Sequence, residues 1–224
     1  MTIQLLVSDM AGTTVSDDGI VIASFTDAIG SQGIAPDDDR YGPALQVVLD
    51  TMGMSKIVVF RQILGNEERA QAATAAFEAS IADRIRAGEV HALPGAESAL
   101  REIAESGVRI ALTTGFSDPT RELLVEHLGW AELADLSLSP STTLRGRPFP
   151  DLALAALIEL EIDDVRSMAI VGDTANDLLA GHRSGASIVA GVLTGAHDRA
   201  ALESAPHTHI LDSVVDLPAV LAGA

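Results

Sequence analysis

The chain has 224 residues, of which 47% are hydrophobic, and it has no cysteine and a formal net charge of −18 at pH 7. This length and apolar content suffice for one substantial core and a smaller lobe, and the lack of cysteine excludes disulfides, metal thiolates and thiol catalysis. The negative charge repels nucleic acid, so we expect no nucleic-acid partner.

The sequence shows no sign of membrane insertion. Residues 1–4 are not a basic segment ahead of a long apolar run. No later stretch approaches the ~20 uninterrupted apolar residues that a spanning helix needs. Together with the lack of cysteine, this predicts a cytoplasmic protein.

Apolar runs typical of buried strands alternate with helical patterns along most of the chain. The strand-like runs cover residues 3–8, 108–113, 167–172 and 187–193, and the helical patterns cover 96–106, 119–128 and 151–160. This alternation predicts an α/β fold with a doubly wound, mainly parallel sheet of the Rossmann-like kind.

Between the first two strand-like runs the pattern is different. Helical patterning covers residues 20–33, 43–50, 55–64 and 67–87, without a comparable buried strand. We therefore predict a helical cap domain at 19–93, inserted into a core domain formed by 1–18 and 94–224. A cap at this position would close over the end of the first strand and exclude water.

The first strand runs into a glycine-containing turn at Asp9, within segment 5–14 (LLVSDMAGTT). A carboxylate at the carboxyl end of a parallel strand lies where open α/β sheets bind ligands, and such a carboxylate can form an aspartyl phosphate. An isolated aspartate before such a turn often only hydrogen-bonds its own backbone. The interpretation of Asp9 as a nucleophile therefore depends on other segments.

Three further segments follow strand-like runs. Segment 109–115 (RIALTTG) ends in hydroxyls and a glycine, and loop 145–151 (RGRPFPD) presents guanidinium groups just before a helix. In segment 168–177 (MAIVGDTAND) an apolar strand leads to Asp173 and Asp177. Acids in such a place are often helix caps, but two of them beside Asp9 suit a hard, oxygen-liganded cation such as Mg²⁺.

In type, order and placement, the four segments resemble the motifs of the haloacid dehalogenase superfamily of phosphoryl-transfer hydrolases. The resemblance spans nearly the whole chain. Segment 9–14 (DMAGTT) looks like the phosphonoacetaldehyde hydrolase (phosphonatase) branch, because typical phosphatases of the superfamily have a second aspartate where this chain has Ala11.

The resemblance implies a nucleophile and a metal site. Asp9 would attack phosphorus, and Mg²⁺ would be held by Asp9, the main-chain carbonyl of Ala11 and the carboxylate of Asp173. Asp177 would lie next to these ligands. The expected substrate is a small anionic phosphorylated or phosphono compound, whose charge Mg²⁺ and nearby basic residues must offset within this acidic protein.

The resemblance also implies residues that hold the phosphoryl group. Thr114 and the Gly115 amide would bind its oxygens, and Arg147 would neutralise both the phosphoryl group and the charge of the nucleophile. Most of the superfamily has a lysine in this last role, whereas phosphonatases have an arginine. Catalysis would then consist mainly of positioning and electrostatic stabilisation.

Alanine at position 11 restricts the substrate to one whose leaving group can depart without protonation by residue 11. The second aspartate of ordinary phosphatases protonates the leaving oxygen, and such acid–base assistance typically contributes ~10²–10⁴ in rate. Alanine cannot do this. A phosphonate next to a carbonyl avoids the requirement if a lysine converts the carbonyl to an iminium ion, because the leaving group is then an enamine.

The chain contains one lysine, Lys56, in segment 52–57 (MGMSKI). This segment resembles the phosphonatase cap segment in which a Met-Gly pair precedes the Schiff-base lysine, with Met52, Gly53, Lys56 and Ile57 in register. The resemblance implies that Met52 is a substrate-binding residue. A Schiff-base lysine attacks as the free amine, which apolar surroundings favour. The alternative is an ordinary surface lysine on a helix.

Two positions differ from phosphonatase. Val59 and Phe116 stand where that enzyme has a histidine and a tyrosine that assist proton transfer around the imine. The best prediction is phosphonoacetaldehyde hydrolysis, and the first alternative is a phosphatase for a small monoester such as phosphoglycolate. A non-catalytic phospho-acceptor or binding module is a third reading. The family also implies a possible homodimer through the cap.

Overall fold

Six parallel strands form one sheet in the computed structural model, which describes residues 2–16 and 18–223. The strands are Leu5–Asp9 (β1), Arg109–Thr113 (β2), Leu136–Leu138 (β3), Met168–Gly172 (β4), Ile188–Val192 (β5) and His209–Leu211 (β6). Their order across the sheet is β3-β2-β1-β4-β5-β6. The predicted doubly wound parallel sheet is confirmed.

The described residues also form ten α-helices. These are Ile20–Ser31 (α1), Tyr41–Asp50 (α2), Lys56–Leu64 (α3), Glu67–Arg86 (α4), Ala96–Glu105 (α5), Asp118–Leu128 (α6), Asp151–Glu159 (α7), Ala175–Ser184 (α8), Arg199–Glu203 (α9) and Leu217–Ala222 (α10). None of these helices has the combination of length and apolarity that would let it cross a membrane.

Helices cover both faces of the sheet. In β1, Leu6 belongs to an apolar cluster with Leu100 of α5, whereas Leu5 lies in a second cluster with Ala156 of α7. Successive side chains of a strand point to opposite faces. Because both faces are covered, β1 is buried at every position, and its sequence is a nearly continuous apolar run rather than an alternating one.

The sequence predicted the four long strands and the seven helices between residues 20 and 160 to within two residues at each end. It missed β3 and β6. Each has only three residues, which are half-buried at the edges of the sheet. A run this short does not show a strand period.

The four helices between β1 and α5 pack mainly on one another, α1 and α3 both lying against α4. Aromatic rings fill their centre: Phe25 stacks on Phe60 with ring centroids 5.6 Å apart, and Phe60 meets Phe77 edge-on at 6.2 Å. Helix α4 also packs on α6. These helices lie where a cap was predicted. The boundaries of a separate cap domain at 19–93 remain a prediction.

The central strands should dominate stability. Ile110 in β2 is fully buried, whereas Ile158 on α7 is 71% exposed. We expect Ile110→Ala to lower the free energy of unfolding by about 2–5 kcal/mol, because it leaves a cavity, and Ile158→Ala to change it by less than about 0.5 kcal/mol. Urea unfolding of the two variants measures this, and equal effects would contradict the assigned core.

Candidate active site

The carboxyl ends of three neighbouring strands meet at one edge of the sheet. Asp9 ends β1 and is in register with Thr113 at the end of β2, while Gly172 ends β4 on the other side of β1. The chain order of the strands reverses at this point. Open α/β sheets bind ligands in the crevice outside such a switch point.

A small pocket, partly open to solvent, occupies this crevice. The structure brings nearly all the sequence-predicted site residues into its wall: Asp9, Ala11, Met52, Lys56, Thr114, Gly115, Arg147 and Asp173. Asp177 is not in the wall but contacts Arg147 directly. Residues that are far apart in the sequence therefore form one site.

The Arg147 guanidinium lies between two carboxylates. Its Nη1 donates to Oδ1 of Asp9 and to Oδ1 of Asp177, and all three side chains are buried. Asp177 also accepts from the main-chain N–H of Thr174 at 3.1 Å and thereby caps helix α8. One carboxylate thus both caps a helix and holds the Arg147 guanidinium against Asp9.

The neighbouring Arg145 has a different task. Its guanidinium and main-chain N–H bind the carboxylate of Asp151 at the start of α7, at 2.8–2.9 Å, and the arginine is exposed. This pair fixes the loop that carries Arg147 into the pocket. Of the two guanidinium groups in the loop, the structure directs Arg147 to Asp9.

Three buried carboxylates and one buried guanidinium leave the site with excess negative charge. Burial raises the pKa of the Asp9 carboxyl to about 6, although the charge of Arg147 opposes this. Burial, with the charges of Asp9 and Asp177, raises the pKa of Asp173 well above its usual value. Burial lowers the pKa of Arg147, but the charges of Asp177 and Asp9 outweigh it and hold that pKa above its ordinary value.

The residues around Asp173 fit a hard cation. The Thr13 hydroxyl lies 3.2 Å from Oδ2 of Asp9 and 3.4 Å from Oδ1 of Asp173, so the two carboxylates flank one small space. A Cβ on Gly12 would lie 2.5 Å from Oδ2 of Asp173, and one on Gly195 would overlap the same carboxylate. The glycines therefore make room for it.

The main-chain oxygen of Ala11 completes the set. It accepts no hydrogen bond from any residue that the structure describes. No group of three or more His, Cys, Asp or Glu side chains within residues 2–16 and 18–223 is arranged to hold a metal ion. The expected ligands are two carboxylates and one carbonyl, all oxygen donors of the kind that Mg²⁺ prefers.

Two hydrogen-bond donors are available for a phosphoryl group. Within the described ranges, neither the main-chain N–H of Gly115 nor the buried Nε of Arg147 has a hydrogen-bond partner. The Thr114 hydroxyl accepts from the N–H of Phe116 at 3.2 Å and orders the loop. Buried donors without partners are costly unless a ligand binds them.

The Lys56 ammonium reaches the pocket from the first residue of α3. Its Nζ lies 5.5 Å from the ring centroid of Phe77 and 5.7 Å from that of Phe116. Faces of aromatic rings attract a cation, so the two rings help to hold the ammonium group in the pocket wall. Val59 on the same helix is buried. Both positions that differ from phosphonatase are thus apolar and packed.

Segment 52–54 is held tightly against the core. The side-chain amide of Asn176 donates to the main-chain oxygen of Met52 at 2.8 Å. Gly53 has a φ of 81°, and a Cβ there would lie 2.8 Å from Oγ1 of Thr174. A Cβ on Gly115 would lie 2.7 Å from the main-chain oxygen of Met54. Segment 52–54 therefore requires glycine at position 53, where it packs on Thr174, and at position 115, which packs on its main chain.

Several residues of the site have no role that the sequence predicts. Thr13 and Asn176 lie inside the motifs but suggest no chemistry by type. Ala196 binds Oδ2 of Asp173 through its main-chain N–H at 2.7 Å, a role that any residue except proline can have. His197 accepts from the N–H of Ala175 at 3.0 Å and so supports the start of α8.

The model of the haloacid dehalogenase-like hydrolase family matches residues 3–185. The chain belongs to this family and is a hydrolase of the haloacid dehalogenase superfamily. The alternative of a non-catalytic phospho-acceptor is therefore wrong.

The chain is also similar to individual proteins. It is 27% identical over 215 residues to "Probable phosphatase IndB" of Dickeya dadantii, covering 93% of this chain and 89% of that protein. It is 32% identical over 139 residues to a phosphonoacetaldehyde hydrolase of Pseudomonas entomophila, covering 61% of this chain and 50% of that enzyme. A hydrolase from Pseudomonas syringae shares the fold, with a TM-score of 0.84, 20% identity and 98% coverage of both chains.

Loss of the buried arginine should destabilise the protein strongly. We expect Arg147→Met to lower the free energy of unfolding by about 3–5 kcal/mol at pH 7.5 in EDTA, because Asp9 and Asp177 lose the buried cation between them. Arg145→Met removes an exposed ion pair in the same loop and should change it little. Urea unfolding compares them, and similar losses would show that the buried guanidinium contributes no more than the surface one.

Proposed function

We propose that the protein is a Mg²⁺-dependent phosphohydrolase in which Asp9 attacks the phosphorus of a small phosphorylated or phosphono substrate. The observation that supports this best is the position of Asp9 in one pocket with Asp173, Arg147 and the Gly115 N–H. A carboxylate nucleophile, an oxygen site for a cation and free donors for phosphoryl oxygens lie together there.

The residues act as follows. The Gly115 N–H and the Arg147 guanidinium hold the phosphoryl oxygens, and Thr114 orders the loop that carries Gly115. A carboxylate oxygen of Asp9 forms a bond to phosphorus while the bond from phosphorus to the leaving group breaks. Water then attacks the aspartyl phosphate, which releases phosphate and regenerates Asp9. Bound at Asp9, Ala11 and Asp173, Mg²⁺ supplies charge neutralisation of the transferring group.

The first candidate substrate is phosphonoacetaldehyde. Lys56 would form a protonated imine with the aldehyde and release water, and the carbon–phosphorus electron pair would pass into an enamine when Asp9 attacks. Protonation of the enamine carbon and hydrolysis of the resulting imine would release acetaldehyde and regenerate Lys56. Ala11 is compatible with this leaving group, which needs no acid. The position of Lys56 in the wall of the Asp9 pocket supports the candidate, as does the resemblance to proteins named phosphonoacetaldehyde hydrolase.

A small phosphate monoester such as phosphoglycolate is the second candidate. The aromatic faces of Phe77 and Phe116 hold the Lys56 ammonium in the pocket wall, a position that suits binding of an anionic group. The relative that is matched over 93% of this chain is named a phosphatase. In this case Lys56 would bind the organic anion and leave the covalent chemistry to Asp9.

Asp9→Asn should abolish phosphate release from acetyl phosphate, a donor whose leaving group needs no acid. We expect a loss on the order of 10³-fold or more, because the amide is not a nucleophile, and a comparable loss for the native enzyme in EDTA that Mg²⁺ restores. Asp212→Asn changes a carboxylate that is 90% exposed and is the control. Activity that survives in Asp9→Asn would contradict the proposed nucleophile.

Lys56→Arg separates the two substrates, because arginine keeps the charge but cannot form an imine. If phosphonoacetaldehyde is the substrate, turnover and a borohydride-trapped adduct on the Lys56 peptide appear in the native protein and disappear in Lys56→Arg. If a phosphate monoester is the substrate, Lys56→Arg retains turnover within about tenfold and no adduct forms, whereas Lys56→Met raises KM. Mass analysis of the trapped peptide decides between them.

A further inference from the structure

Glu78 of helix α4 makes a three-point contact with the start of helix α6. Its Oε1 accepts from the main-chain N–H of Ser117 at 3.2 Å, and its Oε2 accepts from the Ser117 hydroxyl at 2.6 Å and from the Thr120 hydroxyl. Thr120 is buried and Glu78 is half-buried. The contact joins the helical segment inserted after β1 to the main sheet domain.

This carboxylate lies at the start of α6, where no side chain among the described residues accepts from a first-turn N–H. Ser117 is at the N-cap position, and its hydroxyl donates to Glu78 at 2.6 Å and lies 3.4 Å from the Thr120 hydroxyl. The N-terminus of a helix favours a carboxylate, because N–H groups and the helix dipole both point toward it. The start of α6 is therefore completed by a residue that is 39 positions away in the sequence.

Two successive residues of α4 contact two successive residues of the loop between β2 and α6. The ring of Phe77 lies 6.1 Å from that of Phe116, and Glu78 binds Ser117. The Lys56 ammonium lies against both rings. Gly115, which lines the pocket, directly precedes Phe116 and Ser117 in the sequence.

We propose that Glu78 is a positioning residue that fixes the position of the Lys56 ammonium relative to the Gly115 N–H. Glu78 itself does not line the pocket that contains Asp9 and Lys56. Its bonds to Ser117 and Thr120 fix how α4 lies on α6, and this fixes the rings that flank Lys56. Binding of a substrate that contacts both Lys56 and Gly115 depends on this relative position, whereas binding of a phosphoryl donor that lies only beside Asp9 does not. The inference rests on the proposed function for the role of these two groups.

The test compares two substrates in Glu78→Ala, Glu78→Gln and the control Glu68→Ala, an exposed position in the first turn of the same helix. One substrate is acetyl phosphate. The other is whichever of phosphonoacetaldehyde and phosphoglycolate depends on Lys56, shown by lost turnover or a raised KM in Lys56→Met.

For Glu78→Ala we expect KM for the Lys56-dependent substrate to rise about tenfold and KM for acetyl phosphate less than threefold, since several charge-assisted hydrogen bonds are lost. Glu78→Gln keeps an acceptor for the Ser117 N–H and should lie between. General destabilisation would lower the activity toward both substrates equally. Equal changes for both substrates, or no change for either, would overturn the proposal.

Hydrogen exchange gives a readout that does not need turnover. Glu78→Ala should speed amide exchange in peptides that cover residues 114–120 and 51–57, and Glu68→Ala should not. Unchanged exchange in 51–57 would overturn the role of Glu78 even if the native protein hydrolysed none of the substrates. That inactivity would count against the proposed function instead, so the two failures are distinguishable.

Discussion

The pocket depends on the ion pairs of Arg147 with Asp9 and Asp177. Strand ends and the following turns bring Asp9, Asp173 and Asp177 together in a buried space, where their charges repel one another. The guanidinium offsets part of that repulsion and donates directly to the Asp9 carboxylate. Charge that remains uncompensated favours a cation near Asp173. The same electrostatics thus serve stability and the proposed chemistry.

Local structure and chemistry are coupled at Asp177. This residue caps α8 through Thr174 and at the same time binds Arg147, so the geometry of one turn sets the position of the cation beside Asp9. Gly172 permits this, because a Cβ there would collide with the Asp177 side chain. A substitution in this turn would therefore alter helix capping and the charge of the pocket together.

The helical segment after β1 completes the pocket from the other side. Asn176 holds the main chain of Met52, and Glu78 binds the start of α6. Between these two contacts Lys56 reaches the wall that also contains Asp9. In the proposed function, the residues at the strand ends would supply the groups for phosphoryl transfer, and the helical segment would supply the group that meets the organic part of the substrate.

The sequence by itself determined the parallel α/β fold and placed Asp9, Thr114 and Asp173 at strand ends, because long apolar runs followed by polar turns are local patterns. It also indicated Lys56, since the Met52–Gly53 pair and the lysine lie in one short segment. It did not show β3 or β6, which are too short to display a period. Only the tertiary structure decided that Phe77 flanks Lys56 and that Glu78 binds the start of α6. Such contacts depend on how two helices that are distant in the sequence pack together, and neither helix sequence shows a local pattern that predicts them.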